Sequence, residues 1–145
     1  LPLAPAFHKN SYVGRTFIKP TQKERESAVH LKLSVLSSVV KGKRLVLIDD
    51  SIVRGTTMAS LIRMLKDAGA TEVHVRISSP PFLFPCYYGT DVPSNDQLIA
   101  SSHTAAEICA SIGADSLGYM KLEDLKQMTG DLPLCKACFD SHYHV

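Results

Sequence analysis

The stretch Leu45-Val46-Leu47-Ile48-Asp49-Asp50-Ser51-Ile52-Val53-Arg54-Gly55-Thr56-Thr57 turns from wholly apolar to doubly acidic in one step, and becomes hydroxyl-rich in the next. An unbroken apolar run such as Leu45 to Ile48 predicts a central parallel strand buried on both faces. Asp49 and Asp50 end it, and Ser51 to Thr57 make a polar turn around Gly55. From about Thr57 to Ala68, Met58, Leu61, Ile62, Leu65 and Ala68 share one helical face, and Gly69 stops the helix. Glu72 to Ser78 then alternates, with Val73, Val75 and Ile77 on one side and His74 and Arg76 on the other, as in a half-buried strand. Residues 43–78 therefore read as a βαβ unit, and the chain as an α/β fold with a mostly parallel sheet.

Upstream, residues 1–20 hold three prolines and little periodicity, and read as extended or loop. Thr21-Gln22-Lys23-Glu24 is a capping-box sequence. A helical pattern follows it through Ala28, Leu31, Val35, Leu36, Val39 and Val40, to a stop at Gly42. Downstream, Pro80 to Pro93 is irregular, and Ser94–Gln97 and Thr104–Glu107 look like two more capping boxes, each opening a short helix. A last helix is expected over Leu122–Met128, and the tail from Leu134 has no clear period.

The 145 residues suit one domain of ordinary size. A net charge of +2, with no run of five basic residues, gives no ground for a nucleic-acid partner. No apolar stretch approaches the roughly 18 residues of a membrane span. The first residues, Leu1 to Phe7, lack the charged start and long apolar core of a signal peptide. With no initiator Met, the chain is expected to be a fragment, a processed product or a trimmed piece.

The chemistry of the turn follows from its residue types. Ligands of open α/β sheets bind outside the carboxyl ends of the strands. Two adjacent carboxylates there call for hydroxyl donors or a cation, and vicinal ribose hydroxyls and magnesium answer that need. Ser51, Thr56 and Thr57 offer hydroxyls, Gly55 permits a tight turn, and the following helix start favours an anion. Together they describe a sugar-phosphate site. The same residues also read as a Walker B strand (though no G-x-x-x-x-G-K-[ST] accompanies it), as an acidic pocket of the response-regulator kind, or as a solvated strand end.

The stretch resembles the phosphoribosylpyrophosphate motif of type I phosphoribosyltransferases. Over roughly residues 9–139 the chain resembles the C-terminal part of the glutamine phosphoribosylpyrophosphate amidotransferase family. The strings that carry this are Tyr12-Val13-Gly14-Arg15-Thr16-Phe17-Ile18, Asp49 to Thr57, and Val73 to Pro81. Pro85-Cys86-Tyr87-Tyr88-Gly89 and Gly113 to Tyr119 continue the series. The family often has arginine where Ser11 and His30 stand.

The resemblance implies a pentosyltransferase that replaces pyrophosphate with glutamine-derived ammonia to give 5-phosphoribosylamine, in the first step of purine nucleotide synthesis. It implies that Asp49 and Asp50 meet the ribose hydroxyls and magnesium, and that Ser51, Ile52, Val53, Arg54, Gly55, Thr56 and Thr57 hold the 5-phosphate. Gly14, Arg15, Thr16, Phe17 and Ile18 match a flexible loop that closes over the substrate, and Arg15 would stabilise departing pyrophosphate. Residues 1–85 would be the C-terminal half of the transferase domain and 86–145 a helical extension. The family's glutaminase domain lies outside these residues, so the chain alone is not expected to hydrolyse glutamine. Phosphoribosylpyrophosphate and purine nucleotides are the implied ligands, and a cytoplasmic homo-oligomer the implied setting.

Of the four cysteines, Cys135 and Cys138 form a CxxC pair, which reads first as metal or redox chemistry. The resemblance implies more: one branch of the family carries a 4Fe-4S cluster, and Cys86, Cys135 and Cys138 match three of its four ligands. Cys109, between Ile108 and Ile112 on a helical segment, reads as a packed core thiol. His142 and His144 lie near the CxxC and are weaker candidates for zinc, while His8, His30, His74 and His103 have no ligand spacing. Two other functions fit the residues: a salvage enzyme that transfers to a nucleobase, and a nucleotide- or metal-binding module without catalysis.

Overall fold

A computed structural model describes residues 1–9, 33–90, 92, 94–130 and 132–143. The Thr21 capping box, the Gly14–Ile18 loop with Arg15, and Ser11, His30 and His144 lie outside the described residues. The elements are β1 (Phe7–Lys9), β2 (Leu33–Val35), α1 (Ser37–Val40), β3 (Arg44–Asp49), α2 (Thr56–Asp67) and β4 (Glu72–Ile77). Two 3₁₀ turns follow at Asn95–Gln97 and Ile99–Ser101, then α3 (Ala105–Ile112), β5 (Ser116–Tyr119), α4 (Leu122–Thr129) and α5 (Ala137–Asp140).

The expected βαβ unit forms as β3–α2–β4. β3, β4 and β5 make a parallel sheet in that order, with Val46, His74 and Ser116 in register, and Ile48, Arg76 and Gly118 in the next matching row. Helix α2 buries Met58, Ile62 and Leu65 against the sheet face made by Val73, Val75 and Ile77. From α3, Ile108 and Ile112 complete this core. Side chains of this size contribute about 1.5–3 kcal/mol each on full burial.

Three expectations are corrected. Among the described residues β3 is an edge strand, and it is not buried on both faces: Val46 is 45% and Ile48 69% exposed. Four apolar residues in a row do not reveal which face another layer covers, and here α2 and α3 cover one face only. The opposite face is partly polar. Glu72 Oε2 lies 2.8 Å from His74 Nε2, Ser116 Oγ lies 2.9 Å from His74 Nδ1, and Arg76 donates to Ser116 Oγ at 3.0 Å.

Second, the helical pattern read through Val35 fails at Leu33–Val35. That segment is β2, antiparallel to β1, and Leu36 N–H donates to the Ala6 carbonyl at 2.9 Å. Cross-strand pairing overrides the local periodicity there. Third, the Ser94 capping box does not form: no side chain caps that turn, which is 3₁₀ and three residues long. The Thr104 box does form, with Glu107 N–H on Thr104 Oγ1 at 3.3 Å and Thr104 N–H on Glu107 Oε2 at 2.7 Å. α5 and β5 appear where no element was expected.

Asp115 locks the amino ends of the sheet. Its Oδ2 accepts from Val73 N–H at 2.7 Å and pairs with Lys66 Nζ at 3.2 Å, while its own N–H reaches the Val73 carbonyl at 2.9 Å. The Val73 hydrogen bond first, and Lys66 second, hold its carboxyl below the usual 3.8. A depressed carboxylate contributes stability that is complete above its unfolded value and is lost as pH falls through the folded value. The Asp115→Asn variant is therefore expected to show a flatter loss of stability below about pH 4 than the wild type, as read by denaturant midpoints across pH.

Candidate functional site: the turn between β3 and α2

Asp49 is the last residue of β3, and strand alternation puts its side chain on the face shared with Ile77, towards α2. Ser78 secures the strand end: its N–H and Oγ both donate to the Asp49 carbonyl, at 3.0 and 3.2 Å. Asp49 Oδ1 accepts from Asp50 N–H at 3.0 Å, and Asp50 Oδ1 accepts from Ser51 Oγ at 3.0 Å. Burial raises the Asp49 carboxyl above its ordinary value, and the neighbouring Asp50 charge adds to the rise. A buried carboxylate in this state gains from a cation or a hydroxyl donor beside it.

Ile52 is buried and pins the middle of the turn, leaving Ser51 half-buried and Arg54 exposed. Gly55 then caps α2 at φ +79°, a conformation in which other residues are strained. A side chain there would also sit 3.2 Å from Ile99 Cδ1 and 3.4 Å from Ile112 Cγ2. No side chain caps α2 and no acid occupies its first turn, so the amino end of a twelve-residue helix is electrostatically suited to an anion. The structure thus gathers Asp49 to Thr57 into one turn, with carboxylates at one side and a helix start at the other.

Sequence reasoning missed the groups that hold this turn. Arg54 donates to Gln97 Oε1, and Ile99 N–H donates to the Val53 carbonyl at 2.9 Å. At the same end of the sheet, the Tyr119 hydroxyl and Ser79 Oγ are buried with no hydrogen-bond partner among the described residues. Gln97 carries a signal only as part of a supposed helix cap, Ser79 and Tyr119 only as members of the strings Val73 to Pro81 and Gly113 to Tyr119, and Ile99 none.

The cysteines lie elsewhere. Leu83 and Phe84 N–H groups donate to the Cys138 carbonyl at 3.0 and 3.1 Å, and Phe82 and Phe139 rings stand 5.0 Å apart. Tyr143 hydroxyl donates to the Pro85 carbonyl at 2.6 Å and its ring lies 4.9 Å from that of Tyr87. These contacts bring the Cys86 loop to the CxxC segment. Hydrogen bonds from the Thr90 and Tyr88 backbone lower the Cys86 thiol to about 7. Burial raises that of Cys138, with smaller contributions from Cys86 and Cys135. Even so, among the described residues no three His, Cys, Asp or Glu side chains are gathered closely enough to hold a metal ion. Cys109 is half-buried and donates to the Ala114 carbonyl at 3.3 Å, as a packed thiol would. His142 is exposed and faces Asp140 at 3.6 Å.

The chain is similar to known proteins over nearly all of its length. The amidophosphoribosyltransferase of Synechocystis sp. is 51% identical over 147 residues, covering 100% of this chain and 30% of its own length. That of Methanocaldococcus jannaschii is 52% identical over 143 residues, covering 99% of this chain and 30% of its own. The solved glutamine phosphoribosylpyrophosphate amidotransferase from B. subtilis, complexed with ADP and GMP, matches at 51% identity and a TM-score of 0.79, over 95% of this chain and 32% of that one. A structure described as the allosteric regulatory enzyme of purine biosynthesis matches at 50% identity and a TM-score of 0.82, over 99% of this chain and 32% of that one. The chain thus spans about 30% of the length of the curated relatives it matches. The profile described as phosphoribosyl transferase domain covers residues 1–78, from the first strand pair through the acidic turn to the end of β4, and on that match the chain belongs to the phosphoribosyl transferase family.

Proposed function

We propose that the chain supplies the sugar-phosphate site of an amidophosphoribosyltransferase. In this reading ammonia released from glutamine attacks the anomeric carbon of phosphoribosylpyrophosphate. The bond to pyrophosphate breaks, and loss of a proton leaves 5-phosphoribosylamine, the first step of purine synthesis. The observation that carries the reading is the half-buried Asp49 carboxyl at the end of β3, facing an uncapped helix start across the Gly55 turn. Asp49 and Asp50 would receive the ribose hydroxyls, and Ser51 to Thr57 the 5-phosphate. Arg15, with Gly14 to Ile18, would close over them.

Magnesium fits this donor set: two carboxylates are adjacent in the chain, and the half-buried Asp49 carboxyl lies beside the Asp50 charge, where hard oxygen ligands suit a divalent cation. Bound through Asp49 and Asp50, it would neutralise charge on the departing pyrophosphate. For the 4Fe-4S cluster that the family resemblance suggests, packing brings the Cys86 loop to the CxxC segment, but among the described residues Cys86, Cys135 and Cys138 are not gathered as a metal site and do not fit the cluster as they stand. Because no three of these side chains are gathered, no step of the reaction is routed through it. Purine nucleotides as ligands, a homo-oligomeric assembly and a cytoplasmic setting belong to the same reading. Among the described residues no helix is long and apolar enough to cross a membrane.

Calorimetry of ribose 5-phosphate, AMP and phosphoribosylpyrophosphate with magnesium tests the site. The Asp49→Asn/Asp50→Asn variant is expected to lose about 1–3 kcal/mol of binding, the scale for losing charged hydrogen-bond partners. Asp49→Asn alone is expected to melt slightly higher than the wild type at neutral pH. A raised carboxyl costs stability when ionised; the cost shrinks as pH falls below the folded value and is gone below the unfolded one, or when the charge is removed. Equal binding by the double variant, or none by a folded wild type, would overturn the reading.

A further inference from the structure

We propose that residues 95–101 brace the phosphate-binding turn, and that Gln97 is a positioning residue for sugar-phosphate binding that acts through Arg54. The inference rests on the sugar-phosphate reading above and extends it to a segment beyond residues 1–78, which the family profile covers.

Three consecutive residues of the turn are held from this one segment. The Val53 carbonyl accepts from Ile99 N–H at 2.9 Å. Arg54 donates to Gln97 Oε1. Gly55 is closed over by Ile99 Cδ1, which a Cβ at this position would meet at 3.2 Å. The turn's own side-chain hydrogen bonds lie at its acidic end, from Asp50 N–H to Asp49 Oδ1 and from Ser51 Oγ to Asp50 Oδ1, while the stretch from Val53 to Gly55 is held from outside. The bracing segment is better fixed. Leu98 is 2% exposed, its N–H donates to the Asn95 carbonyl at 2.9 Å, and Ser101 Oγ donates to the Leu98 and Asn95 carbonyls at 2.7 and 3.1 Å.

A turn that must order itself around a phosphate loses affinity to conformational entropy, and one held beforehand does not. Gln97 supplies this order through the guanidinium, which keeps further N–H donors exposed at the mouth of the turn. Because Gln97 is only half-buried and lies in a short 3₁₀ turn, its side chain contributes little to the core.

The test uses the full chain with ribose 5-phosphate as probe, and hydrogen exchange at the amides of Ile99 and residues 51–57 without ligand. Gln97→Ala is expected to weaken binding about fivefold and to speed exchange, with the melting temperature unchanged. Gln97→Glu, which keeps the acceptor, restores both. On an Arg54→Ala background, Gln97→Ala has no further effect, since the two act as one unit. If the wild type binds and Gln97→Ala binds equally well, the brace is overturned while the site reading stands. If a folded wild type does not bind the probe, the site reading falls and takes the role in binding with it, whatever the exchange rates show.

Discussion

Gly55→Ala is expected to lower the unfolding free energy by about 2–4 kcal/mol and to weaken ribose 5-phosphate binding in what remains folded. Two penalties add. The left-handed backbone at φ +79° costs a residue with a Cβ about 1–2 kcal/mol. The new methyl meets Ile99 at 3.2 Å and Ile112 at 3.4 Å in a closed space, so one of them must move. If it is the backbone that relaxes instead, the first turn of α2 shifts and the anion site with it. Urea unfolding and calorimetry on the same preparation separate the two outcomes. A fully stable variant that binds normally would mean that the turn does not need this conformation.

Ile62→Ala is expected to cost about 2–5 kcal/mol, the range for truncating a buried aliphatic side chain. Ile62 is 1% exposed in the middle of α2, in the cluster that holds Val73 and Val75 from β4 and Ile108 from α3. The cavity would open at the junction of sheet and both helices, where rigid elements on three sides limit collapse. Chemical denaturation reads the loss directly, and a change under about 1 kcal/mol would show that the core repacks freely.

How far the sequence carries depends on whether its signals are contiguous. α2 and β4 were legible because their apolar periods run unbroken for a dozen and six residues. The acidic turn was legible because its chemistry is packed into nine consecutive positions. β5 was not: Ser116-Leu117-Gly118-Tyr119 is four residues with a glycine inside, too short to show a period. β2 was absorbed into a helical pattern because its partner, Phe7–Lys9, lies far upstream. The exposure of Val46 and Ile48 depends on what covers the sheet, which no local pattern encodes. The groups that hold the site were silent for the same reason. Arg54 meets Gln97 across 43 residues, and Tyr143 meets Pro85 across 58. The flexible-loop expectation at Gly14 to Ile18 falls outside the described residues.

The outer edge of β3 has a consequence for how these residues behave in solution. Among the described residues no strand pairs with this edge, and the apolar side chains of Val46 and Ile48 stand exposed along it. Such an edge is a template on which any extended segment can add. Arg44 at its start is the one charge along β3 before Asp49, so the charge that keeps a second chain from this edge sits at its two ends and is weakened by salt.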